Sequence, residues 1–148
     1  IGGNMIYKAT KKNVHHVAEM ASIMWKNHDI ENLVKELETV ITSEDGVIYI
    51  YSEDAQIIGF AQCQLRHDYV EGTHSSPVGY LEGIFVKEDY RKRGIAKKLL
   101  QACEQWSKEK GCTEFASDCE ITNEQSLKFH LKADFSEANR IICFTKKL

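Results

Sequence analysis

No stretch of this 148-residue chain approaches the 18 or more apolar residues that a membrane span needs, and no signal peptide is visible. Charge of one sign is scarce too. The formal net charge is -3, so the basic footprint of a nucleic-acid binder is missing and a cationic small molecule suits the balance better. Neither CxxC nor a Cys/His cluster occurs among the five cysteines, Cys63, Cys103, Cys112, Cys119 and Cys143. One disulfide, or a metal shared by Cys112 and Cys119, stays open; reduced thiols in a cytoplasmic protein without a metal are the expectation. Proline occurs once and hydrophobic residues make up 43%, which argues against disorder and low complexity. Repeats and linkers are absent as well. A single domain over residues 5–148 follows, large enough to bury roughly 70% of the surface its unfolded chain exposes. Residues 1–4 precede Met5 without pattern and read as an expression remnant.

What is present is periodicity. Residues 5–9 suit a short strand. Val14, Val17, Ala18, Ala21, Met24 and Trp25 recur at helical spacing behind Asn13, and a second helix from Ile30 carries Leu33, Val34, Leu37, Val40 and Ile41 on one stripe. Residues 47–51 and 57–65, rich in β-branched and aromatic side chains, form a hairpin about Ser52-Glu-Asp-Ala55. The polar run from Arg66 to Val78 is a surface loop. Residues 79–86 form a largely apolar strand, and residues 95–110 a helix stopped by Gly111. A strand at 113–117, a helix at 124–133 and a last strand at 140–145 complete the order β-α-α-β-β-β-α-β-α-β. That order implies an α/β fold with a single central mixed sheet flanked by helices, locally parallel after residue 79.

The chemistry concentrates between residues 79 and 96. A buried strand runs into Arg91-Lys92-Arg93-Gly94, and a helix opens at Ile95 and Ala96. The first N–H groups of a helix lack internal partners, and the helix dipole is positive there. Gly94 lets the backbone approach a bulky anion, small Ala96 leaves room, and the three basic residues add charge, so a pyrophosphate is the natural ligand. A solvated basic turn is the plainer alternative. GxxxxGK[ST] and GxGxxG are both absent, so neither a Walker loop nor a Rossmann dinucleotide site is supported.

Arg91-x-x-Gly94-x-Ala96 resembles the (Arg/Gln)-x-x-Gly-x-(Gly/Ala) signature of the GNAT acetyltransferase superfamily. The order of elements is similar to that fold, and Asn123-x-x-Ser126-x-x-x-His130-x-x-x-x-Phe135 resembles the family's later CoA-binding segment. Within the superfamily the runs Arg66-His-Asp-Tyr-Val70, Ser75-Ser-Pro-Val78, Leu81 to Val86, Arg93-Gly94 and Ala116-Ser-Asp118 resemble aminoglycoside 6′-N-acetyltransferases. The resemblance implies acetyl-CoA as co-substrate, direct attack by an amine, and a homodimer. It also implies that the thioester lies where the strand of residues 81–86 splays from its neighbour, near the backbone of Ile84, Phe85 and Val86, with Ile95 and Asn123 also on the CoA side. At the position of His130 most of the superfamily has a tyrosine thought to protonate the leaving thiolate. Asp134 stands where the family usually has glycine.

Glu82 is polar within an apolar strand, which suits a general base acting through water or an anchor for an ammonium; by alternation it shares a face with Tyr80 and Ile84, opposite Leu81, Gly83 and Phe85, and so can also simply meet solvent. Asp118, at a strand end, either binds a substrate amine or caps the last helix. His130 is either a proton donor or a hydrogen-bonded structural residue. Asp29 and Glu71 are further carboxylates for a polycationic substrate, with solvated surface charge as the default. Tyr69 and Trp25 can wall a sugar ring, although Trp25 equally suits the core.

Overall fold

The hairpin anchors the sheet. β2 (Gly46–Glu53) and β3 (Gln56–Arg66) are joined by Asp54 and Ala55 at φ 50° and 67°, the positive pair that a two-residue turn between twisted strands requires. β1 (Asn4–Lys8) pairs antiparallel with β2, β4 (Val78–Val86) antiparallel with β3, and short β5 (Phe115–Ser117) parallel with β4. The computed structural model describes residues 3–148 and gives one five-stranded mixed sheet in the order β1-β2-β3-β4-β5. The four residues set aside in the sequence are partly inside the fold. Asn4 pairs with Glu53, and Asp54 N–H donates to Gly3 O at 3.0 Å; residues 1 and 2 lie outside the described residues.

Two apolar layers sandwich the sheet. On one face α1 (Val14–Met24) and α2 (Ile30–Thr42) bring Val17, Ala18, Ala21, Leu33 and Leu37 against Ile48, Ile50 and Phe60. On the other, α3 (Ile95–Glu109) seats Ile95, Leu99, Leu100, Cys103 and Trp106, the stripe read from the sequence, against Ile58, Ala61, Cys63 and Leu81. Burying that stripe contributes on the order of 10 kcal/mol. α4 (Glu124–Lys132) adds Phe129 to this layer. Among the described residues no helix is long and apolar enough to cross a membrane.

The last strand expected from the sequence is not formed. Residues 136–148 follow α4 without sheet pairing, and Ile141, Ile142 and Phe144 are 71%, 80% and 86% exposed. The chain crosses the β3–β4 loop first, where Asn139 Nδ2 donates to Glu71 Oε1 at 3.4 Å and Ala138 packs on Gly72. The β-branched and aromatic residues of 140–145 suit a strand, but among the described residues they pair with no other strand.

Candidate active site where β4 and β5 part

β5 follows β4 for only three rungs, Gly79↔Phe115, Tyr80↔Ala116 and Leu81↔Ser117. From Glu82 to Val86 the β5 side of β4 is open. Lys87 N–H donates to Ile58 O on β3, so by alternation Phe85 N–H also turns to β3 while those of Ile84 and Val86 face the gap. Each is a backbone donor open to an acceptor lying in the gap, the two about 7 Å apart along the strand.

Beyond Val86 a 3-10 turn (Glu88–Tyr90) leads to the basic loop. Arg91 Nε donates to Val86 O at 2.7 Å, and its guanidinium lies 5.4 Å from the Phe85 ring centre, so Arg91 ties the loop to the strand end. Lys92 and Gly94 both have positive φ, 63° and 78°. A Cβ built on Gly94 meets nothing within 4 Å, so glycine serves the backbone conformation here and leaves open space beside it. The left-handed residue followed by helix makes a nest of N–H groups, and Lys98 N–H is the first to bond back, to Gly94 O. The donors before it await an external acceptor. Lys92 and Arg93 flank them; Arg93 is shared with Glu53 at 3.5 Å and with the Tyr90 ring. A bulky diphosphate fits this cradle.

The acidic half of the site is built on an irregularity. The β3–β4 register runs Gln62↔Gly83 and then Cys63↔Leu81, leaving Glu82 as an extra residue on β4. Such a bulge bends a strand and re-aims a side chain. It also overturns the alternation expected for this strand. Leu81, Ile84 and Val86 all pack beneath α3, whereas Phe85 joins the α1–α2 layer and Gly83 lies against Trp25. Glu82 thus belongs to neither regular face. Its carboxylate is gripped by Arg66, with Nε donating at 3.1 Å and Nη2 at 2.8 Å, and this pairing raises the guanidinium's already high pKa. The Arg66 guanidinium in turn stacks 3.4 Å from the centre of the Tyr80 ring, and Tyr80 donates its hydroxyl hydrogen to Asp118. Burial first, then Asp118, push the Tyr80 phenol well above its ordinary value, so it remains a donor. Two carboxylates, an aromatic ring and one guanidinium are linked across β3, β4 and the end of β5.

The Acetyltransferase (GNAT) family matches residues 15–135. The chain belongs to that family. An aminoglycoside N(6′)-acetyltransferase type 1 from Salmonella enteritidis is 37% identical over 142 residues, covering 96% of this chain and 98% of the relative. Among solved structures, aminoglycoside N-acetyltransferase AAC(6′)-Iy in complex with CoA superposes with a TM-score of 0.95 at 35% identity, covering 100% of this chain and 97% of that one. The same enzyme with the bisubstrate analogue CoA-S-monomethyl-acetylneamine gives 0.93 at 36% identity, with 99% of each chain covered.

The remaining residues singled out in the sequence fall into place around this GNAT frame. Asp118 does not cap α4; Asn123 does, its side-chain oxygen accepting from Ser126 N–H at 3.0 Å. Asp29 caps α2, accepting from Glu31 N–H at 3.2 Å. Tyr69 is exposed and donates to Glu71 at 3.0 Å, which raises its phenol pKa. Trp25 ends α1, packs on the core and over Gly83, and lines a cavity of about 180 Å³ with His28, Glu36, Leu37 and Gln62. His130 lies under β5, with Nδ1 2.7 Å from Ser126 O and Nε2 2.8 Å from Ser117 Oγ. Asp134 adopts the glycine-like conformation at φ 68°. Phe135 N–H reaches His130 O and Asp134 N–H reaches Leu131 O, which is a Schellman ending for α4. Arg66 and Ser117 escaped notice as site residues. Their partners are 16 and 13 positions away, so no local spacing marks them.

Proposed function

We propose that this protein transfers the acetyl group of acetyl-CoA to the 6′-amine of an aminoglycoside by direct attack, as a cytoplasmic homodimer. The observation that carries the reading is Glu82 on its bulge, at the point where β4 parts from β5 and one strand-length from the anion cradle of α3. A donor held by the cradle and an amine held by carboxylates meet in that gap. The backbone of Arg93, Gly94, Ile95 and Ala96 binds the pyrophosphate, with Arg91 and Lys92 supplying charge, and the Ile84 and Val86 N–H groups, about 7 Å apart along the strand, hold separate acceptors of the donor, one of them the carbonyl oxygen.

Glu82 removes the amine proton, through water, and orients the ammonium that precedes the neutral nucleophile. Asp118 holds a second amino group of a polycationic acceptor, with Trp25, Tyr69, Glu71 and Asp29 as outer contacts. The relatives' names and the CoA–neamine analogue bound to one of them support the choice of acceptor. His130 supplies the proton that the leaving sulfur takes up. The homodimer rests on Ile141, Ile142 and Phe144, strand-forming side chains with no sheet partner in the single chain. Light scattering showing a monomer at micromolar concentration would overturn it.

Thiol release from acetyl-CoA tests the acceptor. Release with kanamycin well above that with spermidine or a short peptide is expected. Release with spermidine and none with kanamycin would sink the aminoglycoside assignment, and CoA binding without release for any amine would make this a non-catalytic module.

A further inference from the structure

His130 has no direct route to the gap. Its ring sits between Phe129, at 5.6 Å between centroids, and Phe135, at 5.0 Å, the latter swung back by the Schellman turn at Asp134. Both nitrogens are engaged. Ser126 O is a carbonyl and only accepts, so Nδ1 carries a hydrogen, and Nε2 meets Ser117 Oγ at 2.8 Å. Ser117 Oγ also lies 3.2 Å from Leu81 O, another pure acceptor. Leu81↔Ser117 is the last rung before β4 and β5 part, so the ring's one hydroxyl neighbour on β5 stands at the mouth of the gap.

The bonds Ser126 O–Nδ1, Nε2–Ser117 Oγ and Ser117 Oγ–Leu81 O need three hydrogens. A neutral imidazole and a serine hydroxyl supply two, whereas an imidazolium and the same hydroxyl supply all three. The hydrogen-bonded chain therefore has room for one extra proton, flanked by aromatic rings and reaching the gap through Ser117; Ser126 Oγ, 3.3 Å from Nδ1, lies on the far side of the ring.

We propose that Ser117 is the catalytic residue that hands a proton to the departing sulfur, with His130 as the positioning residue and proton source behind it. This rests on the acetyl-transfer reading above. As the amine nitrogen bonds the carbonyl carbon, the carbon–sulfur bond breaks with its electron pair on sulfur. Ser117 gives its hydroxyl proton to that sulfur and takes the Nε2 proton of His130, leaving a neutral ring. To do so the hydroxyl first swings its hydrogen from Leu81 O to the sulfur, and the hydrogen it receives already lies on the line to Nε2, so the serine ends as donor to the neutral ring. The proton lost by the amine leaves through Glu82 to water, and His130 recovers one from water through Ser117, so no further reagent is needed.

Ser117→Ala removes the hydroxyl without disturbing the Phe129–His130–Phe135 packing, and Ser117→Thr restores it. The Ala variant is expected to lose about 10²-fold in kcat with KM for acetyl-CoA and kanamycin changed less than about threefold, and Thr to recover to within about tenfold of the parent. Independently of turnover, the ultraviolet absorbance of the thiolate of bound CoA is expected to rise at higher pH in the Ala variant, while calorimetric CoA affinity near neutral pH is kept within about twofold. Unchanged kcat in the Ala variant, equal impairment of Ala and Thr, or an unmoved thiolate titration would each overturn the relay. Failure of the parent protein itself to release thiol with any amine would instead remove the acetyl-transfer reading on which it stands.

Discussion

Gly94 offers a way to separate backbone geometry from charge. Its φ is 78° and a Cβ there meets only open space, so Gly94→Ala carries a conformational cost of about 1–2 kcal/mol and no clash. Gly94→Glu carries the same cost and adds a carboxylate beside the proposed pyrophosphate. At about 5 Å and an effective dielectric of ~20, two like unit charges repel by about 3 kcal/mol, or roughly 10²-fold in affinity. The same carboxylate lies at a helix start, where a negative charge stabilises by about 0.3–1 kcal/mol, so the Glu variant melts no lower than the Ala variant. Calorimetric titration with CoA at low salt is then expected to give less than tenfold weakening for Ala and about 10²-fold or more for Glu. Added salt narrows the difference between them, because the repulsion is partly screened. Equal CoA affinity in the two variants would refute the placement of the phosphates at the start of α3.

The remaining expectations concern how the site is held. A Cβ built on Gly83 comes to 2.7 Å from Trp25 Cζ2 and 3.0 Å from Met24 Cε, so Gly83→Ala should destabilise by about 1–3 kcal/mol in chemical denaturation; an unchanged midpoint would mean α1 gives way freely. Asp134→Gly should stabilise by about 1 kcal/mol, since glycine accepts φ 68° without the Cβ penalty, and a lower melting temperature would contradict the Schellman reading. Asn123→Ala should cost about 1 kcal/mol through the lost cap, and a loss of CoA affinity beyond that variant's instability would assign its side chain to the cofactor as well.

The strand, basic turn and helix were legible in the sequence because each leaves a local mark: an apolar run, a charged glycine turn, and a stripe of period 3.6. The five side chains read as the buried stripe of α3 are all in its core. Glu82 stood out for the same reason, as a charge among apolar neighbours. Its direction did not, because a bulge inserts one residue without altering composition, and every side chain after it changes face relative to strict alternation. Arg66 and Ser117 were hidden by distance along the chain. Residues 140–145 carry a strand's β-branched and aromatic residues, yet a strand also needs a partner, and composition alone does not supply one. Asp29 and Asn123 cap helices with their side-chain oxygens, a use their types favour at those positions and one not assigned to Asp29 from the sequence.

The most direct test is the position of the acetyl group on kanamycin incubated with the protein and acetyl-CoA, read by nuclear magnetic resonance of the purified product. Acetylation at the 6′-amine, abolished or strongly reduced in Glu82→Gln while CoA affinity is retained, is the predicted result. Acetylation at another amine, or undiminished 6′-acetylation by Glu82→Gln, would contradict the account of the bulged carboxylate as the group that prepares this amine for attack.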